Sequence, residues 1–179
     1  KADFARALVG AEELFLLDVY AASEQLRGYD GCFYCAGVSS VGKNEADFTR
    51  LTYDTVIAFA KALHPVSPGA VFIYVSGGGT DSTEKAKLMW ARVKGRTEND
   101  LGRIGFKANY NFRPGIMTIT KGMRNPKRWM RTLVPVFAVL TPWVTCSMKQ
   151  VGLAMINCVL KGYPKIILEV KDIKACAKG

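Results

Sequence analysis

The most constraining feature of the sequence is a run of six apolar residues at 70–75 (AVFIYV), which Ser76 and three glycines follow directly. A strand with water on one side alternates apolar and polar residues, whereas this run is apolar on both faces. Such a strand is covered by helices on both sides, as in a parallel sheet. Because parallel strands are joined by crossovers of a dozen or more residues, usually helical, the run predicts an α/β fold.

Strand and helix patterns alternate along the rest of the chain. Further strands are predicted at 13–17, 31–36, 107–112 and 166–168, and helices at 23–27, 45–63, 82–101 and 148–160. The 45–63 helix is expected to end at His64, because the residue before a proline disfavours the helical conformation. Strand–helix alternation implies right-handed crossovers, with helices on both faces of the sheet. The length of 179 residues predicts one domain.

Ligands of parallel α/β sheets bind at the carboxyl ends of the strands. The residues expected at those ends are Asp18, 36–40, 76–80 and 113–115. We therefore expect a binding site to form from these loops.

The net charge of +10 is concentrated near the carboxyl terminus. Residues 1–120 contain 14 Lys and Arg against 13 Asp and Glu, whereas residues 121–179 contain 11 against 2. This basic third either faces an anionic partner or is a solvated surface. The basic stretch at 121–131 has no repeating nucleic-acid-binding motif, so we do not expect binding to nucleic acid.

Five cysteines in a chain without a secretory signal indicate reduced thiols, in the cytoplasm or an organelle matrix. Cys32 and Cys35 form a C-x-x-C pair inside a predicted strand. Positions i and i+3 of a strand point to opposite faces, so we expect both thiols to pack in the core. His64, the only histidine, is interpreted as a helix-terminal residue, and we expect no metal site.

The segment 125–144 combines an apolar face with basic residues. Its longest apolar stretch, 133–144, is shorter than the ~20 residues that cross a bilayer and contains two prolines. We favour a lid that packs on the domain itself. The alternatives are a helix that docks on a protein partner or on an anionic membrane surface.

Three stretches carry a resemblance to a known family: CFYCAGVSSVG (32–42), FIYVSGGGTDSTEKAKLMWARVKGRTEN (72–99) and FRPG (112–115). Together with Asp18, they resemble the short-chain dehydrogenase/reductase superfamily, in its NAD-dependent epimerase/dehydratase-like branch. The resemblance implies a Rossmann-like doubly wound parallel sheet with helices on both faces. It also implies one NAD(P)-binding domain over 1–179, with a small C-terminal helical lid or substrate region at 116–165.

The resemblance further implies NAD or NADP as the cofactor, together with a small-molecule substrate that the sequence does not identify. The residues that it assigns to the cofactor are Asp18, Val19, Ala36, Gly37, Val38, Lys94, Arg113, Pro114 and Gly115. It assigns catalytic roles to Ser76 and Lys94. For Asp18 a helix cap is an equal alternative, and so is a turn residue for Ser76. For Lys94 the alternative is a solvated lysine, and we favour the functional role.

Two departures from the family pattern limit these roles. The position of the acid/base tyrosine, four residues before Lys94, is Trp90, and an indole N–H donates a hydrogen bond but does not exchange a proton at accessible pH. The glycine-rich turn that binds the dinucleotide pyrophosphate is also absent. We therefore expect the chain to lack the first βαβ unit, and we favour residues upstream of Lys1 over a degenerate domain.

Two other functions remain open on the residues alone. Trp90 and the basic third are compatible with a non-catalytic scaffold, and the 125–144 segment with a subunit of a larger assembly that is associated with a membrane.

Overall fold

The computed structural model describes residues 26–118 and 140–179. Its main sheet contains four parallel strands in the order β1–β2–β3–β6. These are β1 (Gly31–Tyr34), β2 (Val71–Val75), β3 (Ala108–Arg113) and β6 (Ile167–Glu169). The central strand β2 is buried along almost its whole length, as its apolar sequence predicts. Within the described residues, β1 has a strand neighbour on one side only.

One face of the sheet is covered by the helices that connect its first three strands. They are α1 (Glu45–Thr49), a π-helical turn (Arg50–Asp54), α2 (Thr55–Leu63) and α3 (Met89–Leu101). The first three run on as one helical segment, so the predicted 45–63 helix is confirmed, with a wider turn at its centre. The Asn44 side chain accepts a 2.8 Å hydrogen bond from the Asp47 backbone N–H and caps its start.

The opposite face is covered by α4 (Met148–Lys161) and α5 (Val170–Cys176). Val151, Ala154, Met155 and Cys158 of α4 pack on the sheet with the residues of β2 and β3 that point to this side. Ser147 starts α4 through a capping box with Gln150, in which each side chain bonds to the other residue's backbone N–H. Helices on both faces thus bury the parallel sheet, as expected.

A second, two-stranded parallel sheet joins β4 (Ile116–Thr118) to β5 (Thr145–Ser147). The segment 116–165 was expected to form a lid. Its part from Met148 onward instead covers the main sheet, because the apolar face of α4 is buried there. Of the described residues before Met148, β4 and β5 form the separate small sheet.

The predicted helix at 82–101 begins only at Met89, and this is a correction. Residues 81–88 form turns and bends instead, because the Asp81 carboxylate accepts hydrogen bonds from the backbone N–H groups of Thr83, Lys85 and Ala86. The loop packs tightly on α3: a Cβ built on Gly95 would lie 1.8 Å from the Asp81 backbone oxygen.

The C-x-x-C pair also differs from expectation. The strand β1 ends at Tyr34, so Cys35 lies beyond it and is exposed, whereas Cys32 is half-buried. Burial, together with the neighbouring Cys35 thiol, raises the pKa of Cys32 to about 12. All five cysteines are free thiols.

Several predictions fall on residues outside the described ranges: the strand at 13–17, Asp18, Val19 and most of the 125–144 segment. The predicted helix at 23–27 is described only at Leu26 and Arg27, which lie in a turn. Among the helices of the described ranges, none is long and apolar enough to span a membrane.

Candidate functional site

Two of the predicted loops meet at the carboxyl edge of the sheet: 76–80 after β2, and 113–115 at the end of β3. The Ser76 N–H donates to the Phe112 carbonyl over 2.9 Å, and the Gly78 N–H donates to the Pro114 carbonyl over 2.8 Å. Gly77 and Gly79 have φ angles of 116° and 85°, which residues other than glycine rarely adopt. The glycines therefore allow this loop to turn back over the strand ends.

The Lys94 ammonium lies under this loop and donates a hydrogen bond to the Ser76 carbonyl oxygen. Burial lowers the pKa of Lys94, and the negative charge of Glu98 partly opposes that shift. A Cβ built on Gly77 would lie 3.9 Å from Lys94 Nζ, so the ammonium borders the glycine loop. The structure thus brings together Ser76 and Lys94, which the sequence analysis had named as the catalytic pair.

Trp90 lies one helical turn before Lys94, and its ring contacts the same loop. A Cβ on Gly79 would lie 3.1 Å from Trp90 Cη2. Spacing of four residues places Trp90 and Lys94 on the same side of α3. An indole N–H at this position can donate a hydrogen bond but cannot act as a general acid or base.

Behind the loop lies a buried ion pair that the sequence analysis did not single out. Glu98 is 2% exposed, and its carboxylate accepts from Ser76 Oγ over 2.5 Å, from Arg113 Nε over 3.0 Å and from Arg113 Nη2 over 2.5 Å. Ser76 itself is 1% exposed. The signal that could have indicated Glu98 is its place four residues after Lys94, on the same side of the helix.

Arg113 has further partners. Its Nη2 donates to Ser82 Oγ over 2.5 Å, and its Nη1 lies 3.4 Å from Glu169 Oε1. Burial lowers the pKa of Arg113, but the bonds and charges of Glu98 and Glu169 outweigh that effect, so the net pKa is raised. We refer to Ser76, Ser82, Glu98, Arg113 and Glu169 as the Glu98 network.

The network changes the interpretation of two predicted contacts. Ser76 was expected to have a catalytic role and Arg113 to contact the cofactor. In the structure the Ser76 hydroxyl and the Arg113 guanidinium both turn inward, because a buried carboxylate needs donors and a counter-charge. Pro114 is buried as well, whereas Gly115 is exposed beside Val144.

The predicted residues after β1 have different surroundings. Ala36, Gly37 and Val38 are exposed, and nothing lies within 4 Å of a Cβ built on Gly37. At the end of the 125–144 segment, Leu140 and Trp143 are 65% and 69% exposed. Within residues 26–118 and 140–179, no group of three or more His, Cys, Asp or Glu side chains could hold a metal ion.

Comparison with known proteins identifies the fold. No protein-family model matches this sequence, and neither does any curated protein. Among solved structures, the chain is similar to UDP-N-acetylglucosamine 4-epimerase from Bacillus cereus, with a TM-score of 0.58 and 13% sequence identity. The match covers 89% of this chain and 66% of the epimerase chain, so this chain spans slightly less than two thirds of that enzyme's length. The likeness shows a Rossmann-like α/β fold, and the predicted fold class is confirmed.

Proposed function

We propose that this protein binds NAD or NADP in the manner of an atypical short-chain dehydrogenase/reductase, with Lys94 as the contact to the nicotinamide ribose. The observation that carries the proposal is the position of the Lys94 ammonium beside Ser76 and Gly77, at the carboxyl edge of a parallel sheet. Ligands of such sheets bind at that edge. A half-buried ammonium that borders a glycine loop suits a hydroxyl-rich ligand.

The residues at this edge fit one half of a dinucleotide. Lys94 has three N–H donors, of which one goes to the Ser76 carbonyl. Gly77 and Gly79 bring no side chain into the space above it, and the exposed backbone at Ala36 and Gly37 is open to a ribose. The pyrophosphate has no such partner, since no glycine-rich turn follows the first predicted strand. We assign it to no residue of the described ranges.

The bound dinucleotide would supply hydride transfer. The chain's own residues would hold and orient it: Lys94 by hydrogen bonds to the ribose, and Trp90 by its ring and its indole N–H. Trp90 cannot move a proton, so any oxidoreductase or epimerase activity would need another acid or base.

Titration with NADH and with NADPH, followed by tryptophan fluorescence, tests this proposal. We expect saturable quenching, because the Trp90 ring contacts the glycine loop that Lys94 borders. Lys94→Met should weaken binding about tenfold or more, the value of a hydrogen bond from a charged donor. Lys87→Met is the matched control, since Lys87 is an exposed lysine just before the same helix. The affinity of this variant for NADH and NADPH should be unchanged. The absence of saturable binding, or equal affinities in both variants, would overturn the proposal.

A non-catalytic binding role is the second candidate function. Two observations favour it: the Ser76 hydroxyl points into the protein, and Trp90 occupies the acid/base position. Turnover of a carbonyl or sugar-nucleotide substrate that is lost in a Ser76→Ala variant would exclude it.

A further inference from the structure

Glu98 is a buried carboxylate whose hydrogen-bonding capacity is used in full. It accepts from Ser76 Oγ, from Arg113 through two nitrogens, and from Ser82 Oγ over 3.4 Å. A carboxylate offers about four acceptor sites, and these four bonds use them. Such a group is stable in the interior only while its partners stay in place.

The partners of Glu98 come from different parts of the fold. Ser76 follows β2, Ser82 belongs to the loop that packs on α3, and Arg113 is the last residue of β3. Through Arg113 the network reaches Glu169, the residue before α5. One side chain of α3 therefore ties together the carboxyl ends of neighbouring strands.

Ser76 is bound to α3 at two atoms. Glu98 holds its side-chain hydroxyl, and Lys94, one turn earlier, donates to its backbone carbonyl. Rotation of the Ser76 backbone would break the bond from Lys94 to the Ser76 carbonyl. The bond from the Ser76 hydroxyl to Glu98 opposes that rotation. The position of the Lys94 ammonium therefore depends on a residue that Glu98 holds.

We propose that Glu98 is a positioning residue for the candidate dinucleotide site: it fixes Ser76 and the glycine loop, and so fixes the Lys94 ammonium. Glu98 itself touches no ligand. The inference rests on the proposed function for the identity of the ligand, but the geometry that it predicts is measurable in the free protein.

The first test measures the reactivity of Lys94 toward acetic anhydride, by peptide mass spectrometry. In Glu98→Gln the amide nitrogen would face the Arg113 guanidinium, donor against donor, so we expect the network to open and Lys94 to be acylated about fivefold faster or more. Asp100→Asn is the matched control. Asp100 lies on the same helix but pairs with Tyr53 and Arg103, and its loss should leave the Lys94 rate unchanged.

A second variant, Ser76→Ala, removes the hydroxyl and keeps all three charges of the Glu98 network. It keeps the inference testable if Glu98→Gln does not fold. We expect faster acylation of Lys94 and faster hydrogen exchange at the N–H groups of Gly77, Gly78 and Thr80. Exchange at the Asn111 N–H, which bonds to Ile166 between β3 and β6, should not change, because it reports global opening. Unchanged rates at Lys94 and in the loop would overturn the inference.

These rates need no dinucleotide, so the two proposals fail separately. A protein that binds no NADH or NADPH overturns the proposed function and leaves the rates as they are. Equal rates in the parent and the variants overturn the role of Glu98 and leave binding intact. If both proposals hold, Ser76→Ala should also weaken NADH binding, although its charges are those of the parent.

Discussion

The loops after β1 and after β2 lie at the same edge of the sheet, and both were expected to line a binding site, yet their surroundings are opposite. Ala36, Gly37 and Val38 are exposed, with nothing close to Gly37. The loop at 76–79 is bonded to the strand end next to it and, through Ser76, to α3.

The difference follows from the neighbours of each strand. In the described residues β2 lies between β1 and β3, whereas β1 has a strand on one side only. Of these two loops, the described residues show contacts with a second strand end, and with the helix that carries Lys94 and Glu98, only for the loop after β2. Position at the carboxyl edge makes a loop available to a ligand, but its packing decides whether the loop is already held in one conformation.

The largest effect that would break this contrast is the loss of the buried counter-charge. In Arg113→Met, Glu98 remains as a buried carboxylate without its partner, and we expect a loss of about 3–5 kcal/mol in the free energy of unfolding. Urea unfolding measures it. The double variant Glu98→Leu with Arg113→Met should be more stable than the single one, because no buried charge is left unpaired. Arg103→Met, which removes an exposed ion pair, should cost less than about 1 kcal/mol.

The next largest effect is steric and concerns the loop at 81–88, which packs on α3. Gly95→Ala would place a methyl group 1.8 Å from the Asp81 oxygen, and we expect a cost of about 3 kcal/mol as loop and helix separate. Gly152→Ala is the control in α4, where nothing lies within 4 Å, and it should stabilise the helix by about 0.5–1 kcal/mol. Equal stabilities of the two variants in urea would contradict the tight packing of the loop on α3.

A smaller effect is expected from acid. Hydrogen bonds from the Thr83 side chain and backbone, and from the backbone N–H groups of Ala86 and Lys85, lower the pKa of Asp81 from 3.8 to about 2. A carboxylate whose pKa is lower in the folded state stabilises that state at pH values above the pKa of the unfolded state. This stability is lost as the pH falls through the pKa of the folded state. The melting temperature should therefore decline between about pH 4 and pH 2, and less steeply in Asp81→Asn. Equal declines of the melting temperature in the parent and in Asp81→Asn would contradict this prediction.

The smallest effect is predicted in the exposed loop. Gly37→Ala meets no atom and should change the free energy of unfolding by less than about 0.5 kcal/mol. Gly77→Ala in the other loop should cost more, about 1 kcal/mol or above, because Gly77 has a φ of 116°. Thermal unfolding of this pair measures the contrast between the loops directly, and equal costs would remove it.

Elements with a strong local pattern could be predicted from the sequence. The 70–75 run, the 45–63 helix and α4 all appear within one residue or so of their predicted bounds. In each case burial follows from the spacing of apolar residues, which the chain carries locally. The helix at 82–101 was predicted too long because Asp81 competes for the N–H groups of its first turn.

The candidate site was predictable only in part. That Ser76 and the 113–115 loop share one edge follows from the parallel topology. The place of Lys94 at the same site was implied by the family resemblance. The inward turn of Ser76 and Arg113 does not, because it depends on Glu98, which is 22 positions from the first and 15 from the second.

The sequence by itself thus determined the parallel α/β class, its buried central strand and the edge at which a ligand would bind. Only the tertiary structure decided which polar side chains face that ligand and which face each other. The physical reason is that apolar burial is encoded in local periodicity, whereas a buried charge takes its counter-charge from whichever chain segment the fold brings within hydrogen-bond distance.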